Sequence, residues 1–187
     1  MKEIAGKVIR AVPPSWIAYA SENQHRVPQL RRVFAWGASL VKNQDGVIMH
    51  GVGEGLRFNA GRAHSAFMLG THERPIQNLV AAALKKNSVY YDVGANVGFF
   101  TVLAAKVQGD SGTIISFEPV AENAAQIERN VDLNHFHSVS VRREALGKEN
   151  GTATFLTSHE PTFGKLASVG KVPGSPSGET EVRIARL

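Results

Sequence analysis

The sequence predicts an α/β fold of the doubly wound, Rossmann-like type, with a mostly parallel sheet preceded by a helical and β-hairpin extension. Three observations predict it. From Ser88 the chain alternates strand and helix signals, with β-branched and aromatic runs at 89–93, 113–118 and 139–141 and apolar helical stretches between them. A glycine-bearing turn, Asp92-Val93-Gly94-Ala95-Asn96-Val97-Gly98, joins the first run directly to its helix. An acidic residue, Glu118, closes the second run twenty residues past Gly98. Strand–helix–strand–helix–strand at this spacing requires two right-handed crossovers, hence a parallel sheet with a crevice at its strand ends.

Composition supports a globular chain. Its 187 residues are 43% hydrophobic and 20% charged, enough to bury a real core. The absence of Cys excludes disulfides, thiolate zinc sites and thiol catalysis, and fits a reducing, cytoplasmic setting. No apolar run approaches the roughly 18 residues of a membrane helix. Lys2, Lys7 and Arg10 are followed by Pro13-Pro14 rather than by an apolar stretch, so no secretory signal is expected. The net charge of +5 is spread over pairs such as Arg31-Arg32, Lys85-Lys86 and Arg142-Arg143. Such pairs read as solvated faces, and no nucleic-acid partner is expected.

Taken in order, the elements divide the chain into an extension over 1–72 and a nucleotide-binding domain over 73–187. Leu30, Val33, Phe34, Gly37, Leu40 and Val41 follow the spacing of one helix face, opened by Pro28. Val47-Ile48-Met49 and Leu56-Arg57-Phe58 read as short strands around the turn from Gly51 to Gly55, followed by a loop to Gly70. Ile76, Leu79, Val80, Ala83 and Leu84 then form an apolar stripe on a helix with Pro75 in its first turn. The helix over 97–107 is apolar almost all round and should be buried. Val120, Ala124, Ile127 and Val131 share one face of the next. Beyond Glu144, 152–157 and 181–187 read as an antiparallel pair separated by a loop containing Pro161, Gly164, Gly170 and the run from Pro173 to Gly178.

The chemistry concentrates at the strand ends. Gly94 permits the sharp turn, Gly98 permits close packing and bare backbone towards a ligand, and Asn96 tolerates a left-handed backbone. Free N–H groups at the helix start suit a carboxylate or phosphate. A lone glycine loop also fits a purely structural turn. Glu118 adds weight, because a carboxylate there accepts the ribose hydroxyls of an adenosine. Asp92 precedes the loop, where its charge would face a cationic ligand. Glu144 closes the third strand, and the Glu144-Ala145 corner is placed to read adenine.

The stretch from Tyr91 to Phe100, with Phe117-Glu118-Pro119 and Glu122-Asn123 after it, resembles the FkbM-type family of S-adenosylmethionine-dependent methyltransferases. Gly55-Leu56-Arg57-Phe58-Asn59, Gly70-Thr71-His72-Glu73 and the turn from Ala145-Leu146-Gly147 to Gly151 extend the resemblance over most of the chain from Val47 onward. It implies a class I methyltransferase fold that binds S-adenosyl-L-methionine. It implies Asp92, Gly94, Asn96 and Gly98 around the methionine moiety, Glu118 on the ribose and Glu144-Ala145 near the adenine, with Ala95 and Pro119 also among the cofactor-binding residues. The implied reaction is O-methylation of a small-molecule, sugar or glycolipid hydroxyl. Members of the family continue past the position of Leu187 into a strand that lies beside the first one. The resemblance therefore implies that C-terminal strands are missing here, with an open sheet edge prone to self-association and no general base in this chain.

Two other readings stand beside this one. A catalytically incomplete fragment would bind cofactor weakly or not at all, and an NAD(P)-dependent oxidoreductase would use the same crevice. The latter fits poorly, since the loop reads Gly-x-Asn-x-Gly rather than Gly-x-Gly-x-x-Gly. His135 and His137 lack a third ligand, so no metal is expected. Glu73, at a helix start, is a further candidate for closing over the cofactor, although a helix N-terminus accounts for it equally. Trp16 and Trp36 read as packing anchors.

Overall fold

The structure is a computed structural model that describes residues 43–61, 66–158, 164–166 and 176–187. The helix expected from Pro28, Trp16 and Trp36 lie outside the described residues. The chain divides into two compact units, Met1–Leu79 and Val80–Leu187.

In the first unit, β1 (Gly46–Val47) pairs antiparallel with β2 (Arg57–Phe58), bracketing the expected glycine-rich turn. Ile48, Phe58 and Phe67 are buried there, and the Phe58 and Phe67 rings lie 6.3 Å apart. The stretch expected as loop up to Gly70 contains a short helix, α1 (Ala66–Leu69), whose Ala66, Phe67 and Met68 are buried. Its apolar side chains find a core within this small unit, which a reading of local turn signals does not register.

Helix α2 (Arg74–Ala83) forms where expected but turns the other way. Ile76 and Leu79 of its apolar stripe are exposed, whereas Gln77 is buried. The reason is hydrogen bonding. Gln77 Nε2 donates to the Gly70 and His72 carbonyls, and its Oε1 accepts the Val52 amide, so three backbone groups of neighbouring loops are satisfied by one side chain.

The second unit carries the expected parallel sheet. Strands β3 (Val89–Val93), β4 (Thr113–Phe117) and β5 (Val139–Arg142) lie in the order β3-β4-β5, all parallel. Helix α3 (Phe99–Gln108) connects β3 to β4, and α4 (Ala121–Leu133) connects β4 to β5. Seven of the ten α3 residues are buried, as its all-round apolarity requires, and Gly109, at a φ of 61°, ends it. Ala104, Ala105 and Ile114 form a core against which Leu84, Tyr90, Phe136 and Val139 pack. Among the described residues β3 is an edge strand, with Val89, Tyr91 and Val93 exposed.

The third strand ends at Arg142, so Glu144 does not close it. Ala145–Leu146 forms a separate short strand, β6, in a second sheet. That sheet contains β7 (Gly151–Ser158), β8 (Gly164–Leu166) and β9 (Pro176–Ala185) in the order β6-β9-β7-β8. The antiparallel pairing of β7 with β9 is the expected one, but it runs from Gly151 opposite Ile184 to Ser158 opposite Pro176. Parts of the glycine- and proline-rich loop are thereby recruited into strands, Gly164–Leu166 against β7 and Pro176–Gly178 at the start of β9.

Candidate functional site

The turn between β3 and α3 bends through three left-handed residues, Gly94 (φ 72°), Asn96 (φ 53°) and Gly98 (φ 82°). Four of its amides are not free. Gly94 and Ala95 both donate to the Phe117 carbonyl, at 2.9 and 3.1 Å, and Gly98 donates to Ala95 at 2.8 Å. The Asn96 amide donates to Glu118 Oε2 at 2.8 Å. The expectation of N–H groups available for an anion is therefore corrected at four positions of the loop. The sharp bend brings these donors back onto the end of β4, which supplies acceptors before any ligand does.

The two glycines have different roles. A Cβ on Gly98 would stand 3.0 Å from Ile127 Cγ2 of α4, so its bareness serves helix packing. A Cβ on Gly94 would meet nothing within 4 Å, so its backbone faces open space. Of the two, Gly94 is the one that leaves room for a ligand against the main chain.

Two buried carboxylates flank the loop. Glu118 accepts the amides of Asn96 and Val120 and, at 3.4 Å, the side chain of Asn123. Burial is the main cause of its raised pKa, the hydrogen bonds pull it back down, and the charge of Asp92 adds a smaller upward push. Asp92 is also buried, and its Oδ2 accepts the Thr101 hydroxyl at 2.5 Å. The Thr101 amide bonds to it as well, and desolvation outweighs both bonds to leave its pKa raised. Since Thr101 gives its hydroxyl proton to Asp92, its contact with the Ser116 hydroxyl at 2.8 Å must run with Ser116 as donor. Asp92 thus holds the first turn of α3 from behind the loop rather than presenting a bare charge to a ligand.

Asp92, Gly94, Ala95, Asn96, Gly98 and Glu118 are brought together, and Pro119 lies in the short bend that Glu118 closes onto Val120. Glu144 and Ala145 are drawn towards β9: Ala145 pairs with Ile184, and Glu144 Oε1 lies 3.8 Å from the mostly exposed Arg183 guanidinium. Glu73 belongs to the first unit. It caps α2, with its carbonyl accepting the Ile76 and Gln77 amides, at a left-handed φ of 43° and with its carboxylate 3.8 Å from His72 Nε2. Among the described residues no group of three or more His, Cys, Asp or Glu could hold a metal ion. No helix among them is long and apolar enough to cross a membrane.

Sequence reasoning missed Thr101, Ser116 and Asn130. Each is completely buried. The signal for Asn130 was present: it falls three residues after Ile127, inside the apolar face of α4, where a polar residue needs a reason.

Among solved structures, a Clostridium thermocellum protein assigned as an rRNA-methylase is similar at 18% identity and a TM-score of 0.36, covering 38% of this chain and 39% of its own. Wild-type Trm5b from Pyrococcus abyssi is similar at 15% identity and a TM-score of 0.39, covering 61% of this chain and 42% of its own. The chain spans about two-fifths of the length of either. No curated protein matches it. One family model, described as the Vibrio cholerae RfbT protein, matches residues 61–159. That stretch is more than half of the chain and holds the loop, Glu118 and Glu144, and the chain belongs to the Vibrio cholerae RfbT protein family.

Proposed function

We propose that this chain is an S-adenosyl-L-methionine-dependent methyltransferase of the FkbM type that acts on a hydroxyl oxygen of a small molecule, sugar or glycolipid. The observation that carries the reading is the buried Glu118 carboxylate, bonded to the Asn96 amide of a loop whose Gly94 faces open space. Asn96 Oδ1 is buried with no hydrogen-bond partner. The loop and Glu118 thus offer acceptors and negative charge, while four loop amides are already committed. Such a set suits ligand donors, namely ribose hydroxyls and the ammonium of an amino acid. It does not suit a pyrophosphate, which needs backbone donors. This favours adenosylmethionine over a nicotinamide dinucleotide.

On this reading Gly94, Ala95 and Asn96 hold the methionine portion while Gly98 packs the loop onto Ile127, Glu118 and Pro119 hold the ribose, and Glu144 and Ala145 the adenine. Asp92 acts through Thr101, fixing the start of α3. The cofactor supplies an already activated methyl group, so the residues of the chain supply alignment and electrostatics. Titration calorimetry with adenosylhomocysteine and with NAD is the first test, and transfer of labelled methyl groups to hydroxyl acceptors the second. Binding of NAD without binding of adenosylhomocysteine would refute the proposal.

A further inference from the structure

Asn130 is completely buried in the apolar face of α4, between Ile127 and Val131. A buried amide side chain destabilises a core unless its hydrogen bonds are made. Here its Nδ2 donates to the Val97 carbonyl at 2.8 Å, across 33 residues of sequence. Val97 precedes Gly98, the N-cap of α3, so its carbonyl lies outside the helical ladder, which opens with the Val102 amide on the Gly98 carbonyl. The Thr101 amide, in the first turn, bonds to the Asp92 carboxylate. The Val97 carbonyl therefore has no helical donor, and Asn130 supplies one.

The same face of α4 reaches the site at two further points. Ile127 fills the space beneath Gly98, and Asn123 donates to Glu118 Oε1. Residues 123, 127 and 130 are spaced four and three apart, one stripe of a helix. Val97 stands between left-handed Asn96 and left-handed Gly98, and fixing its carbonyl fixes the Val97–Gly98 peptide plane. The amide of that plane, on Gly98, donates to the Ala95 carbonyl at 2.8 Å and so closes the turn from which the Asn96 amide reaches Glu118.

We propose that Asn130 is a positioning residue for cofactor binding, acting through Val97 on Asn96 and Glu118. The proposal rests on the adenosylmethionine reading above. Asn130→Leu removes the donor while keeping the branched outline, with a bulkier side chain and a higher helix propensity, and Asn130→Asp keeps the shape but replaces the donor by an acceptor.

Two measurements decide the matter. In the first, amide hydrogen exchange of unliganded full-length protein is followed at Asn96 and Gly98, with Ile115 in β4 as internal reference. Exchange at the two loop amides should speed about tenfold or more in Asn130→Leu, as expected for loss of a buried hydrogen bond, with Ile115 unchanged. In the second, the adenosylhomocysteine Kd should rise by about tenfold or more in both variants. The effect of Asn130→Leu combined with Glu118→Ala should fall short of the product of the single effects, because both act on the same Asn96 contact.

Uniform acceleration of all three amides, or multiplicative effects on Kd, would reduce Asn130 to a core residue and overturn the proposal. Should the wild-type protein bind no adenosylhomocysteine, the functional reading fails. Loop-specific exchange would then still establish the clamp, and unchanged loop exchange would remove it.

Discussion

Glu118→Ala is expected to weaken adenosylhomocysteine binding by about 1–3 kcal/mol at neutral pH. The size follows from what the side chain holds. Glu118 is 4% exposed, and its two oxygens accept the Asn96 amide at 2.8 Å, the Val120 amide at 2.9 Å and Asn123 Nδ2 at 3.4 Å. Alanine leaves two backbone donors without their acceptor, each costing about 1–3 kcal/mol when no substitute is found. Part of that cost is offset, because the carboxylate removed is itself desolvated, as its raised pKa records. The ligand then meets a loop in which Asn96 is released from its left-handed conformation, and it loses a charged acceptor for its ribose. Affinity should fall about 5- to 150-fold. Titration calorimetry reads the loss, and urea denaturation of the same sample reads the accompanying change in stability. Glu118→Gln separates charge from shape: one amide oxygen still accepts, but its NH2 must face either the Asn96 or the Val120 N–H. Its affinity should fall between those of the other two proteins. An unchanged Kd in a folded Glu118→Ala protein would refute the assignment of the ribose to this carboxylate.

The remaining predictions concern pH and the loop. Asp92 and Glu118 both have pKa values raised, chiefly by burial, so the folded state holds their protons more tightly than the unfolded chain. The stability this provides is complete below their ordinary values of 3.8 and 4.5 and is lost as pH rises through the raised folded values. Adenosylhomocysteine affinity, which needs Glu118 charged, should rise over that window; denaturation and titration curves with parallel slopes would count against this. Gly98→Val should cost about 2–5 kcal/mol, the sum of a left-handed backbone and overpacking against Ile127, and urea midpoints should show it. Gly94→Ala should cost only about 1–2 kcal/mol and leave the fold intact while blocking the ligand, since open space surrounds its Cβ position. Thr101→Val should push the Asp92 pKa further up and lower stability by about 1–3 kcal/mol, which a carbon-13 carboxyl titration and a melting curve would detect.

The parallel sheet was legible because its strands are short, β-branched and bounded by turn residues, and because an all-round apolar helix such as α3 has nowhere to go but the interior. The left-handed conformations at Gly94, Asn96 and Gly98 were legible for the same local reason. What sequence could not show were choices made by distant partners. The stripe of α2 reads as its buried face by periodicity, yet Gln77 is buried because the carbonyls of Gly70 and His72 and the amide of Val52 need it. Glu144 reads as the end of a strand, yet Ala145 and Leu146 follow β9 through parallel pairing with Ile184 and Ala185. Hydropathy ranks residues one at a time, whereas these outcomes depend on which backbone groups lack partners after the chain has folded.

The same logic bears on the loop amides, where the local reading and the structure differ most in consequence. A glycine loop entering a helix is read as an anion cradle because the first N–H groups of a helix have no partner within it. That holds only if nothing nearer supplies acceptors. Here β4 ends at Phe117 with Glu118 next to it, directly beside the turn, and the Phe117 carbonyl and Glu118 carboxylate take the amides of Gly94, Ala95 and Asn96. Asp92 takes the Thr101 amide in the first turn of α3. A site that begins as a set of donors thereby becomes a set of acceptors, with two carboxylates beneath it and the Asn96 oxygen left to bond. On the proposed reading, donor-bearing, positively charged ligands gain from that inversion and phosphates lose by it. Discrimination between a sulfonium nucleoside and a dinucleotide would then rest on where the second strand ends more than on the number of glycines in the loop.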